Sequence, residues 1–368
     1  MYIESLELKN YRNYESLHIN FDEGTNILLG DNAQGKTNIL EAMYVCGTTK
    51  SHRGSKDKEL IRFEEDESHI RLFLVRNGVR HKIDMHLKKN KAKGAAIDGV
   101  PIKKASELFG MIHFVFFSPE DLNIIKNGPH ERRKFMDSEL CQINRIYLAQ
   151  LSNYNKIVLQ RNKLLKDIAF SSHLKDTLDI WDEQMVAYGS VLIEERARFI
   201  KQINGVLKEI HRNITGGKEE IELIYEPNVK KEEFGKKLLL DREKDLRQKL
   251  SSTGPHRDDF CVKVNGIDIR KFGSQGQQRS AALSLKLSEI YLVRNIIQDQ
   301  PVLLLDDVLS ELDSSRQKYL LGSIRDIQTF ITCTGVEEFV HNQFPLNRIF
   351  QVINGRVSVN QASAEQEE

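Results

Sequence analysis

No apolar run in the 368 residues is long enough to span a bilayer. Residues 1–15 are too polar for a signal peptide, so a soluble, cytoplasmic protein is expected. Cysteine is scarce: Cys46, Cys141, Cys261 and Cys333 lie far apart and form no Cys-x-x-Cys pair. That spacing argues against a zinc or redox motif and for thiols buried in a reducing compartment. Charge of one sign is also lacking, with 54 Lys and Arg against 53 Asp and Glu and a formal net charge of +1. Such a chain has no global field to hold a polyanion, and nucleic-acid binding must come from local clusters. Internal repeats and sustained heptads are absent too, which excludes long coiled-coil arms.

What is present is enough hydrophobic content, 40%, for a large core, and enough length for two domains or one domain with an insertion. Short apolar runs at 3–8, 17–21 and 25–29 read as strands, and Thr37 to Val45 switches to helical period with Ile39, Leu40, Met43 and Tyr44 on one face. Alternating runs at 69–75 and 79–87 flank Asn77-Gly78, a hairpin signal, and predict an antiparallel sheet. Another strand is expected at 113–117. After Gly128-Pro129 the texture turns helical, over 132–151, 156–168, 174–214 and 230–250, with one strand at 221–225. Strand signals return at 260–264, 267–269, 302–305 and 329–332, and the polar, acidic 361–368 reads as disordered. The expected division is residues 1–128, a helical insertion at 129–250, and 251–368.

Chemistry concentrates in two places. Gly30-Asp31-Asn32-Ala33-Gln34-Gly35-Lys36-Thr37 fits G-x-x-x-x-G-K-[ST] between a predicted strand and a predicted helix. Gly30 and Gly35 allow backbone N–H groups to surround a β-phosphate, and the helix N-terminus adds partial positive charge. Lys36 reaches the β- and γ-phosphates, and the Thr37 hydroxyl ligates Mg²⁺. The second place is Val302 to Leu305, an apolar run ending in Asp306 and Asp307. Opposite a phosphate loop, Asp306 would hold Mg²⁺ and Asp307 would orient an attacking water.

Ser274-Gln275-Gly276-Gln277, continuing through Gln278-Arg279 into a helical pattern, is similar to the signature motif of ABC-type ATPases. Ser310-Glu311-Leu312-Asp313 resembles their D-loop. The order of motifs resembles the SMC-like ATPases and, within them, the RecF family, over nearly the whole chain. The segments that carry the likeness are 8–14, 30–41, 117–122, 128–129, 132–133, 253–259 and 274–279. The resemblance implies an α/β fold: an ABC/SMC-type P-loop ATPase head, with a mixed sheet plus an antiparallel sheet, and an inserted, mostly helical lobe. It implies that Ser274 of one copy contacts the γ-phosphate held by another, so that two ATP close a homodimer around DNA. It further implies weak, DNA-stimulated ATP hydrolysis used as a timer, binding to DNA gaps or single-strand/duplex junctions, the partners RecR and RecO, help in RecA loading, and support of the SOS response. By the same resemblance Arg12 approaches the phosphates; read as a residue, it is equally a solvated charge. Two departures point to slow turnover: Asp307 stands where most ABC relatives carry Glu, and Thr332-Cys333-Thr334 offers no switch histidine.

For DNA itself the candidates are Arg80, Lys82, Lys88, Lys89, Lys91 and Lys93, which serve either as phosphate contacts or as a solvated sheet edge. Lys50, His52, Arg53, Lys56 and Lys58 form a second cluster. A P-loop phosphotransferase would need no signature loop. A chromosome-organising SMC head would need arms longer than 129–250 supplies, and a transporter subunit a shorter gap between Thr37 and Ser274.

Overall fold

The computed structural model describes residues 1–336, 339 and 344–359; residues 361–368 lie outside them. Two compact units form, one from 1–121 with 289–368 and one from 122–288.

The first unit opens with β1 (Tyr2–Tyr11) and β2 (Tyr14–Asn20), joined by a tight turn, and β3 (Thr25–Leu29), which runs into the phosphate loop and α1 (Lys36–Thr48). After a short α2 (Asp57–Leu60) come β4 (Glu67–Arg76), β5 (Val79–Lys88), β6 (Lys91–Ile97), β7 (Val100–Pro101) and β8 (Phe114–Phe117). Asn77 and Gly78 both have positive φ, 51° and 75°, as the two-residue hairpin requires. One antiparallel sheet results, in the order β2-β1-β4-β5-β6-β7.

The second unit holds α3 (Leu122–Lys126), α4 (Pro129–Ile143), α5 (Arg145–Asp167), α6 (Leu178–Ile214), β9 (Ile221–Glu226), α7 (Phe234–Leu240), α8 (Arg242–Gln248), β10 (Asp259–Val264), β11 (Ile267–Asp268) and α9 (Ile269–Phe272). The expected helix over 132–151 breaks at Asn144, whose side chain accepts a hydrogen bond from Tyr147 N at 3.0 Å and starts α5. Segment 251–288, expected with residues 289–368, groups with the helices instead. The reasons are local: β10 pairs antiparallel with β9, Arg132 holds Asp259, and the buried Arg196 holds Asp258 at 3.0 Å and the Pro255 carbonyl at 2.6 Å. Arg161, fully buried, bonds Asp182 and Asp245, each at 2.7 Å, and so ties α5 to α6 and α8. Charges this deep persist only when paired. The boundary of this unit falls within α10 (Gln275–Ile297).

The chain then adds β12 (Val302–Asp306), α11 (Ser314–Ser323), β13 (Thr329–Cys333), β14 (Arg348–Ile353) and β15 (Arg356–Val359) to the first unit. The second sheet of that unit has the order β15-β14-β3-β13-β12-β8, parallel throughout except for the β14–β15 hairpin. Helix α1 packs against β4 and β5 of one sheet and β12 and β13 of the other. That sandwiching differs from the one-sided helix expected. Ile39, Leu40, Ala42, Met43, Val45 and Cys46 are all fully buried. Each large side chain among them contributes about 1.5–3 kcal/mol of transfer free energy, which fixes the helix that begins at Lys36. The architecture is α/β, a mixed sheet plus an antiparallel sheet with a mostly helical second unit, as the sequence predicted.

Candidate nucleotide-binding site

Strand order puts the two chemical motifs near each other. β3 delivers residues 30–35, β12 ends at Asp306, and only β13 separates them, with Thr332 in register with both Leu28 and Asp306. Gly30 is needed for close approach: a Cβ there would lie 2.3 Å from the Val352 carbonyl oxygen. Gly35, at φ 114°, is the N-cap of α1 and supplies no side-chain cap, so the first N–H groups of the helix are left for an anion. Lys36 curls over the loop, its Nζ donating to the carbonyls of Gly30 at 2.5 Å and Asp31 at 2.8 Å. Burial pushes its ammonium below the usual lysine range, and Asp307, Cys333, Asp306 and Asp31 oppose that shift.

Thr37 Oγ1 donates to Asp306 Oδ1 at 2.7 Å, and Thr332 Oγ1 donates to the same oxygen at 2.8 Å. Two hard oxygen donors at this spacing fit Mg²⁺, since neighbouring ligands on an octahedron with ~2.1 Å bonds are about 3 Å apart. Asp307 has a left-handed backbone, φ 53°, and its N–H donates to Thr332 Oγ1 at 2.9 Å. Its carbonyl and carboxylate accept from the Ser310 hydroxyl at 2.9 and 3.3 Å. Thus Ser310, in the segment resembling a D-loop, is tied to Asp307, while Asp313 of that segment caps α11 through Arg316 N at 3.0 Å. A cleft of about 300 Å³, bounded among others by Asp307, Ser310, Thr332 and Thr334, opens beside them. Thr332, which joins the Asp306 carboxylate to the Asp307 backbone amide, was read in the sequence only as the absence of a histidine.

Arg12 is neither free at the phosphate loop nor a solvated charge. Its Nε and Nη2 bond the buried Glu41 carboxylate at 2.8 and 2.9 Å, and its other donors reach Glu59 O and Ser55 Oγ. Burial alone would push the Glu41 carboxyl up; the hydrogen bonds from Arg12 and Ser51 outweigh it and hold the group below its usual range. In the second unit, Ser274 Oγ accepts from Gln277 N at 3.2 Å while Gln277 Oε1 accepts from Ser274 N at 3.0 Å. This reciprocal capping leaves the Ser274 hydroxyl proton available at the start of α10.

Five of the six hairpin cations face a carboxylate: Arg80 with Glu4 at 2.5 Å, Lys82 with Asp84 at 3.2 Å, Lys88 with Glu67 at 3.8 Å, Lys89 with Asp66 at 3.3 Å and Lys93 with Asp57 at 2.8 Å. Sequence distance hid four of these acids. The pairing favours the solvated-edge reading.

The family model described as RecF/RecN/SMC N terminal domain matches residues 2–358. A DNA replication and repair protein RecF from Lachnospira eligens is 60% identical over 359 residues, 97% of this chain and 99% of that protein. A solved structure of the recombination mediator protein RecF with ATP, in the RecFOR pathway, superposes with a TM-score of 0.91 at 35% identity, covering 98% of this chain and 97% of that one. An Smc head bound to the C-winged helix domain of ScpA shares the fold alone, with a TM-score of 0.58 at 16% identity.

Proposed function

The chain belongs to the RecF family of DNA replication and repair proteins, SMC-like ATPases that bind ATP, and from that premise we propose that it is an ATP-driven clamp on DNA. Residues 30–37 hold ATP, with Lys36 on the β- and γ-phosphates. Thr37 and Asp306 hold Mg²⁺, which when bound neutralises phosphate charge. Asp307 orients the water that attacks the γ-phosphorus as the bond to ADP breaks. Ser274 and the start of α10 from a second copy complete each site, with Ser310 to Asp313 at the same interface.

The observation that carries this reading is the Thr37–Asp306–Thr332 junction, which presents hard oxygens beside a phosphate loop. Hydrolysis is slow because the Asp307 side chain is short and Thr332-Cys333-Thr334 supplies no histidine. The turnover then times a dimer that rests on DNA gaps or single-strand/duplex junctions, works with RecR and RecO in the cytoplasm, assists RecA loading and supports the SOS response.

Sedimentation velocity of the full chain tests the clamp: ATP with duplex DNA should convert a lighter species to a dimer. A sedimentation coefficient indifferent to both ligands contradicts it.

A further inference from the structure

Asn13 sits in the turn between β1 and β2 with an exposed side chain, where packing asks for no amide. Its Nδ2 nevertheless donates to the Gln34 carbonyl at 3.0 Å, and its Oδ1 accepts from Asn38 Nδ2 of α1 at 2.8 Å. The turn of the β14–β15 hairpin approaches the same residue from the other side. Asn354 N donates to Gln34 Oε1 at 2.6 Å and Gly355 N to the Gln34 carbonyl at 3.2 Å. Gly355 has φ 73°, and a Cβ on it would lie 2.7 Å from the Asn13 carbonyl oxygen, so the two turns meet with no room between them. Gln34, in the middle of the phosphate loop, therefore points its side chain at the hairpin.

We propose that Asn13 and the Asn354-Gly355 turn are positioning residues for the phosphate loop, gripping Gln34 so that the N–H groups of residues 30–37 face a triphosphate before it arrives. The inference rests on the reading of residues 30–37 as the ATP site. A loop that is competent for only a fraction of the time binds more weakly by that fraction, while the chemical step is unaffected once ligand has ordered it. The grip therefore sets nucleotide affinity and leaves turnover at saturation alone.

Titration of the full chain with a fluorescent ATP analogue and Mg²⁺, alongside steady-state ATPase assays, tests this. Asn13→Ala should weaken binding about tenfold, the size expected for two hydrogen bonds near the surface. Its kcat and the melting temperature of the nucleotide-free protein should stay at wild-type values. Gly355→Ala, whose Cβ would press on the Asn13 carbonyl at a left-handed φ, should weaken binding with kcat unchanged but also lower the melting temperature, and the double variant should lose less affinity than the product of the two, because both act on Gln34. Unchanged affinity in both variants overturns the proposal, as does an affinity loss in Asn13→Ala that tracks a fall in melting temperature. Lys36→Ala is the control: if it binds nucleotide like wild type, the phosphate-loop reading fails and takes the grip with it.

Discussion

Thr332 carries no charge and belongs to no motif, yet its hydroxyl donates to Asp306 and accepts from the Asp307 amide. Thr332→Val keeps the shape and removes both bonds. Affinity for ATP should stay within a few-fold of wild type, while kcat falls about tenfold, the effect of losing the two hydrogen bonds that hold the Asp306 carboxylate and the Asp307 backbone. Asp307→Asn should slow hydrolysis more than that and leave binding nearly intact, since its assigned role concerns water. Single-turnover assays separate the two steps, and an affinity loss in Asp307→Asn as large as its rate loss would move that residue into the metal shell. Lys36, Thr37 and Asp306 stand out in the sequence because a glycine-rich loop and an acid-ended apolar strand are rare patterns with a physical reason. Thr332 is silent because one hydroxyl in an apolar strand forms no pattern; only the register of β12 against β13 reveals it.

At the level of elements, strands with strong alternation or long apolar runs were legible, and β6, the two-residue β7, β14 and β15 were not. β6 reads Lys-Ala-Lys-Gly-Ala-Ala-Ile, a weak strand former held by its pairing to β5. The β14–β15 hairpin turns on Asn354-Gly355, the same dipeptide type that marks 77–78, but its flanks are short, six and four residues. The turn at Gly254 to Asp258 in the second unit makes a pH prediction. His256 Nδ1 meets Tyr154 Oη at 2.7 Å, and its Nε2 meets the Ser251 carbonyl at 2.9 Å, so the neutral ring is fully bonded. Burial, with Arg257 and Arg133 nearby, pushes its pKa down to about 4 from 6.5. The unfolded chain therefore takes up a proton that the folded ring refuses. This contribution is intact above pH 6.5 and is lost as pH falls toward 4, by up to about 3 kcal/mol. Urea unfolding across that window should show a shallower pH slope for His256→Gln than for wild type; parallel slopes would mean that His256 is not the group that titrates.

For the molecule as a whole, fold class was legible because motif order constrains topology, whereas the unit boundary near Ser288 was not. Pairing between β9 and β10 is a contact across the chain that no local pattern announces. The central claim is that an ATP site needs two copies, with the phosphate loop of one chain completed by Ser274 of another. Lys36→Ala breaks the half-site a chain uses for its own nucleotide, and Ser274→Arg breaks the half it offers, by placing bulk and charge at the start of α10. Each variant alone should be inactive. Mixed in equal amounts with ATP and duplex DNA, they should recover measurable ATPase activity, because one interface of the mixed dimer joins the intact phosphate loop to the intact Ser274. Mixed dimers that demonstrably form, yet neither hydrolyse ATP nor trap it at the intact interface, would contradict the account.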